Sequence, residues 1–198
     1  GKLPLSSRAV IFMALASVLF VAMHALVRDL SKDLHPFQIA FFRASLGLIV
    51  LSPTIFRNRF AILRTSKIKL HALRGLLNAG AMLCFFYGLS ITPLAQVTAL
   101  SFAVPLFATL FAVLLLREII KIRRITALLI GFFGTLVIIR PGLIDFGLGP
   151  ILILSQAIIW SLALMVIKVL TRTDSSLTIA IYASIFLSPM VLIAAMVP

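Results

Sequence analysis

Arg43 is the residue with the most chemistry to offer. It sits in FQIAFFRASLGLIVLSPTIF, six positions after Phe37, which by helical rise places it about 9 Å inside an apolar segment. A guanidinium at that depth costs about 2.5–3.5 kcal/mol on insertion scales and faces a cavity or a partner. It can receive an anionic group of a substrate, such as a carboxylate. It can equally snorkel to the headgroups or bind backbone carbonyls freed near Pro105. Arg74, about one turn into HALRGLLNAG, is close enough to an interface to snorkel and reads as structural. Asn78 lies one turn deeper, and a buried amide there must bond to a neighbouring helix or to a ligand. Tyr87, Gln96, Thr98 and Ser101 could line a polar path. Gln156 and Trp160, one helical turn apart, offer an amide beside an aromatic wall. The substrate-binding candidates are thus Arg43, Asn78, Tyr87, Gln96, Ser101, Gln156 and Trp160. His24 could titrate near neutral pH, but packing near the membrane interface is the simpler use. Phe85, Phe86, Phe132 and Phe133 read as lipid-facing or packing rings.

What is missing narrows the chemistry. The chain has only five acids, and Asp29, Asp33, Glu118, Asp145 and Asp174 all fall at the ends of apolar runs or in loops. A proton-exchanging exporter of cationic drugs is expected to hold a carboxylate deep in the membrane, and none is present. No Ser/His/Asp grouping, paired carboxylates or HExxH spacing appears, so an enzyme is not expected. The single cysteine, Cys84, can form neither an intrachain disulfide nor a Cys/His cage, and neither a metal nor a cofactor is called for. Glu118, between Arg117 and Lys121, reads as an interfacial ion pair that pins a turn.

The elements that hold these residues are membrane spans. Hydrophobic residues make up 62% of the chain and charged ones 12%, far from the roughly 45–50% and 25% of soluble domains. The fold class is therefore all-α integral membrane. The net charge of +13 is placed by topology, since the basic residues lie between apolar runs and no basic, aromatic-interleaved helix exists to bind nucleic acid. Seven spans are expected, at about 9–27, 37–56, 70–90, 94–116, 125–139, 150–167 and 177–197. The fourth, LAQVTALSFAVPLFATLFAVLLL, carries Pro105 near its middle. A proline there frees a backbone carbonyl and makes the site a candidate hinge. The Gly75/Ala79 and Gly131/Gly134 pairs should allow close helix approach.

Lysine and arginine collect on one side: Lys2, Arg8, the basic run RNRFAILRTSKIK, the cluster Arg117 to Arg124, then Lys168 and Arg172. The opposite side holds Arg28 and Lys32, offset by Asp29 and Asp33, together with Arg140. The positive-inside rule then predicts a cytoplasmic N-terminus. Sliding the chain by 140 positions sets Arg28 on Lys168, Leu30 on Leu170, Lys32 on Arg172, Ile39 on Ile179 and Ala40 on Ala180. Five spans separate the copies, an odd number, so the second copy is expected to be inverted in the membrane, as transporter repeats are.

The stretch HALRGLLNAGAMLCFFYGLSITPLAQVTALSFAVPLFATLFAVLLLREIIKIRRITALLIGFFGTLVIIRPG, with PFQIAFFR before it, resembles the EamA unit of the drug/metabolite transporter superfamily. The shared features are the arginine entering the third span, the YGLSITPLAQVTAL hairpin, the central proline, Glu118 and GFFGTLVIIRPG. The likeness is to bacterial members of the kind that includes rickettsial S-adenosylmethionine carriers. It covers residues 9–142 as one five-helix unit, with 148–198 as the first two helices of a second, incomplete inverted unit. The resemblance implies a ten-helix carrier with a central cavity worked by alternating access, in the inner membrane of a bacterium. Seven of ten helices present implies a fragment that does not transport alone. The expected partners are membrane lipids and a small polar metabolite, an amino acid or a nucleoside-containing compound. A homodimer is left open. The alternatives are a multidrug exporter and a non-transporting structural subunit.

Overall fold

The structure is a computed structural model that describes residues 5–57, 63–119, 121–139 and 147–196; the side chains of 5–9, 54–57, 124, 135 and 138–139 are outside the description. Among these residues there are eight α-helices and no strand: α1 (Leu5–Leu30), α2 (Pro36–Arg57), α3 (Ile68–Ile91), α4 (Leu94–Ser101), α5 (Ala103–Leu116), α6 (Ile122–Ile139), α7 (Leu148–Leu170) and α8 (Ser176–Ala195). Six segments are long and apolar enough to cross a membrane, with α4 and α5 together forming one of them, and α6 contributes a shorter apolar stretch, Ile125–Gly134. This is a multi-span helical membrane bundle. Arg140 and Asp145 lie outside the described residues.

Helices lie over each of the seven apolar runs, and several begin before the run because polar residues at the ends continue the helix. The correction concerns the fourth. It is not one helix but two, interrupted at Phe102, whose N–H bonds back to the Ala99 carbonyl at 3.1 Å. Pro105 causes the break: it has no N–H to offer the Ser101 carbonyl, and its ring crowds the turn before it. At the far end of α5, Arg117 adopts φ 53°, a left-handed cap that turns the chain sharply away. A non-glycine residue there costs roughly 1–2 kcal/mol.

Two ends of the bundle can be distinguished by their polar contacts. At one, Arg28 of α1 donates to the Thr92 carbonyl after α3; we call it the Thr92 end. At the other, the basic end, Lys168 of α7 pairs with Glu118 after α5, and His71 of α3 meets Asp174 after α7. Glu118 therefore does pin the turn, but its partner is Lys168 and not the adjacent Arg117 or Lys121. The left-handed cap at Arg117 aims it across to α7. Arg74 does not snorkel either. Its Nη1 donates to the Ile179 carbonyl of α8, which makes it an internal tie between helices.

The centre is built on α3, which packs most extensively against α7 and also against α8, while α8 packs on α2. Lipid gives helices no hydrophobic reason to associate, so close van der Waals contact between small residues does the work. The α3–α8 contact runs through Gly75, where an added Cβ would collide with the Phe186 side chain; at Gly88 it would lie 2.8 Å from Ile153 Cδ1. Ala79, Ala157, Ala163 and Ser161 are likewise buried on these faces, with Phe86 and Leu89 filling the core between them. α1 and α6 sit outside, with Phe12, Leu15, Leu19, Ile130 and Val137 exposed to the apolar surroundings. The Gly131/Gly134 expectation is not met among the described residues, where nothing lies within 4 Å of a Cβ added at either glycine.

The turn joining α1 to α2 and the turn joining α7 to α8 have the same backbone bonds. The N–H groups of Ser31, Lys32, Asp33 and Leu34 donate to the carbonyls of Val27, Asp29, Leu30 and Leu30; those of Thr171, Arg172, Thr173 and Asp174 donate to Ile167, Val169, Leu170 and Leu170. Every bond recurs 140 positions on, the register at which the sequence repeats.

Gly75→Ala should lower the thermal midpoint of the purified protein in detergent, since overpacking a tight contact costs about 1–3 kcal/mol. Gly131→Ala should leave it unchanged or raise it slightly, helix propensity favouring alanine. Circular-dichroism melts of both variants check the pair, and equal midpoints would refute the close α3–α8 contact.

Candidate functional site

A cavity of about 350 Å³ lies between α1, α2, α3, the α4–α5 break and α7. Each helix supplies residues at the spacing that puts them on one face. α3 gives Asn78, Ala81, Met82, Phe85 and Phe86; α1 gives Phe20, Met23 and His24; α7 gives Gln156 and Trp160. α2 contributes Arg43, and the α4–α5 break contributes Ser101 and Val104. Five of the sequence candidates, Arg43, Asn78, Ser101, Gln156 and Trp160, are therefore brought together from separate parts of the chain.

Arg43 is not paired with a carboxylate; among the described residues the ion pairs are Asp29–Lys32, His71–Asp174 and Glu118–Lys168. Its Nη1 lies 3.3 Å from the Met82 sulfur, and its guanidinium carbon stands 5.9 Å from the centre of the Phe86 ring. A thioether and a ring face are weak partners for a cation, so the charge keeps most of its capacity for an anion. Gln156 adds the opposite polarity: its Oε1 is buried and accepts no hydrogen bond. Ser101 donates to the Val97 carbonyl at 2.8 Å, which leaves its oxygen able to accept. Phe20, Phe85, Phe86 and Trp160 form aromatic walls around these groups, and no acid is among the described residues that line the space.

Two candidates are not brought there. Tyr87 is five positions past Met82, about 140° around α3, and instead packs against His35 and Phe37, their ring centres 6.2 and 6.0 Å from its own. It docks the α1–α2 turn on α3. Gln96 is likewise five positions before Ser101 and lines neither described cavity. Pro105 does not touch the first cavity but lines a second, of about 420 Å³, with Thr98 and Phe102; this one shares His24, Ser101 and Val104 with the first. The backbone break thus forms the partition between two spaces. The hydroxyl of Ser161 on α7 lies between two acceptors, the Ala157 carbonyl of its own helix at 2.6 Å and the Val104 carbonyl at 3.0 Å.

Sequence reasoning missed the walls. His24, read as interfacial packing, borders both cavities, its ring 4.9 Å from that of Phe85. Phe85 and Phe86, read as lipid-facing or packing rings, face the cavity, whereas Phe133 is exposed as expected. A signal was available: with Asn78 and Met82, they fall at i, i+4, i+7 and i+8, one stripe of α3. No group of three metal-ligating side chains forms among the described residues.

The chain matches the model of the EamA-like transporter family over residues 7–140. It is 35% identical over 156 residues to the S-adenosylmethionine uptake transporter of Rickettsia prowazekii, covering 79% of this chain and 53% of that one. Against the riboflavin transporter of Brucella anthropi the identity is 32% over 151 residues, 76% of this chain and 53% of the relative. With the pseudopaline exporter CntI of Pseudomonas aeruginosa it is 32% over 139 residues, 70% of this chain and 49% of the exporter. The chain spans about half the length of the curated relatives it matches. One solved crystal structure, at 21% identity, superposes with a TM-score of 0.65 over 87% of this chain and 62% of its own, a likeness of fold. Matched over more than half its length by the family model and carrying the cavity between its helices, the chain belongs to the EamA-like transporter family.

Proposed function

We propose that the protein is a carrier, not an enzyme, that moves a small polar metabolite across the cytoplasmic membrane by alternating access, with its N-terminus in the cytoplasm. The observation that carries this reading is the unpaired Arg43 guanidinium in a cavity assembled from five parts of the chain. A structural subunit has no use for an uncompensated cation facing an apolar space, where burial is costly unless a ligand repays it. The repeated turn bonds support two five-helix units related by inversion, 9–142 and one beginning near 148. The clustering of basic residues at one end supports the orientation.

The cavity's chemistry favours a ligand with a carboxylate for Arg43, a hydrogen-bond donor for the Gln156 amide oxygen and a flat or apolar body for the aromatic walls. Asn78 and Ser101 complete its polar contacts. A cationic drug meets no counter-charge among the described lining residues, which disfavours the multidrug reading. The relatives named as carriers of S-adenosylmethionine and of riboflavin supply the first two compounds to try: the former has the carboxylate, beside a sulfonium that only the aromatic rings could face, and the latter is a flat, uncharged ring system without one.

Uptake of labelled S-adenosylmethionine and riboflavin by membrane vesicles from cells producing the protein tests the reading. For whichever is transported, Arg43→Ala should cut uptake about tenfold or more, the worth of a charge-assisted hydrogen bond of about 1.5–3 kcal/mol. Arg43→Lys should retain part of it, and undiminished uptake by a normally inserted Arg43→Ala would end the proposal for Arg43. Pro105→Ala restores an N–H for the Ser101 carbonyl and should straighten the α4–α5 break. If the break is a hinge, maximal uptake falls several-fold while apparent affinity holds; an unchanged rate would rule the hinge out.

A further inference from the structure

The basic end holds a second group of titratable side chains that the cavity does not use. His71, in the first turn of α3, is 0% exposed, and its Nε2 lies 3.2 Å from Oδ2 of Asp174, whose side chain is 7% exposed. The same carboxylate oxygen accepts from Thr65 Oγ1 at 3.2 Å, and Thr173 stands at 3.5 Å. Tyr182 of α8 stacks on the imidazole with ring centres 4.6 Å apart and donates its hydroxyl to the Leu63 carbonyl at 2.7 Å. The cluster therefore fastens together the segment before α3, α3 itself, the α7–α8 turn and α8.

The charge balance of this cluster depends on one proton. Asp174 is nearly buried, and its other partners are hydroxyls, which carry no charge. Nearby cations are engaged or in solvent: Arg74, one turn along α3, is bound to the Ile179 carbonyl, Lys168 is paired with Glu118, and Arg64, Lys69 and Arg172 are exposed. Lys67, half-buried at the α3 N-cap, joins no ion pair with a described acid. Protonated, His71 neutralises the carboxylate and gains from the Tyr182 ring face, at the cost of a buried Nδ1–H that finds no acceptor among the described residues. Neutral, it leaves a buried carboxylate without a counter-ion, which favours moving the α7–α8 turn into water.

We propose that the His71–Asp174 pair is a proton-binding site whose occupancy holds the basic end of the bundle shut. Treating that end as one gate of a carrier rests on the alternating-access reading above, whereas the proton site stands on its own geometry. Loss of that proton leaves Asp174 without its counter-charge, so the clamp loosens as pH rises.

The test uses the chain in lipid nanodiscs with Cys84→Ser and Ala183→Cys, which leaves one thiol at a position buried between α8 and its neighbours, one turn beyond Ile179. Maleimide labelling, corrected for thiolate fraction with the denatured chain, should be at least about fivefold faster at pH 8 than at pH 5.5. His71→Gln keeps a donor but no charge and should label quickly at both pH values, as should Asp174→Asn. His35→Gln, in the α1–α2 turn at the opposite end of the bundle, should behave like the parent. A flat parent profile, pH dependence that survives His71→Gln, or loss of it in His35→Gln would overturn the proposal. If His71→Gln does not fold, carbon-labelled histidine spectra of the parent decide: the His71 resonance must titrate with the labelling midpoint, and one that does not shift overturns the site. Labelling needs no transported compound, so failure here and failure of the uptake assay are separate results.

Discussion

Close backbone contact between α3 and its neighbours α7 and α8 is the constraint on which the rest of the structure depends. In lipid, apolar side chains gain little by facing each other instead of acyl chains, so helices stay together where their surfaces are smooth enough to touch. Gly75 and Gly88 remove the side chains that would hold Phe186 and Ile153 away. Once α3 is seated, its stripe from Asn78 to Phe86 is fixed opposite Gln156 and Trp160 of α7, and the cavity between them follows from the same geometry. Its basic-end turn is fixed against the α7–α8 turn in the same way. Packing and site are thus two faces of one helix.

Electrostatics divides the molecule along its length. The described acids sit at the helix ends, three of them in ion pairs: Asp29, Glu118 and Asp174. The middle holds one guanidinium beside a sulfur and an aromatic ring. At the basic end ion pairs tie separate elements together. At the Thr92 end Asp29–Lys32 is local and Arg28 makes the tie through the Thr92 carbonyl, and the described cavity lining is left with a single uncompensated sign. In the function proposed above, such a space sorts ligands by charge before shape, and the aromatic walls act on the anions and zwitterions that remain.

Much of this was legible in the sequence because bilayers impose strong length and charge rules. The spans, the register of the repeat at 140 and five of the cavity residues followed from hydropathy, charge placement and helical spacing. What escaped depended on rotation and on partners distant in sequence. Tyr87 and Gln96 were polar and at the right depth but point elsewhere, since depth is set by rise and direction by the 100° step, and a uniformly apolar helix hides its inner face. Phe85 and Phe86 do pack, as read, and it is their place on the cavity wall as well that helical rotation hid. Glu118 and Arg74 had obvious local roles, yet their partners Lys168 and Ile179 lie fifty or more positions away, where no local pattern points. The break at Phe102 was signalled by Pro105, three residues on, and only its expression as two separate helices needed the structure.

The chain has one tryptophan, and it stands on the cavity wall beside Gln156, across from the residues of α1 and α3. The indole emission of this chain therefore originates at the cavity wall. Its wavelength and intensity report the local polarity, so filling or draining the space registers optically without any attached dye. An aromatic metabolite with overlapping absorption would also receive energy from it, and the molecule carries its own spectroscopic ruler for occupancy.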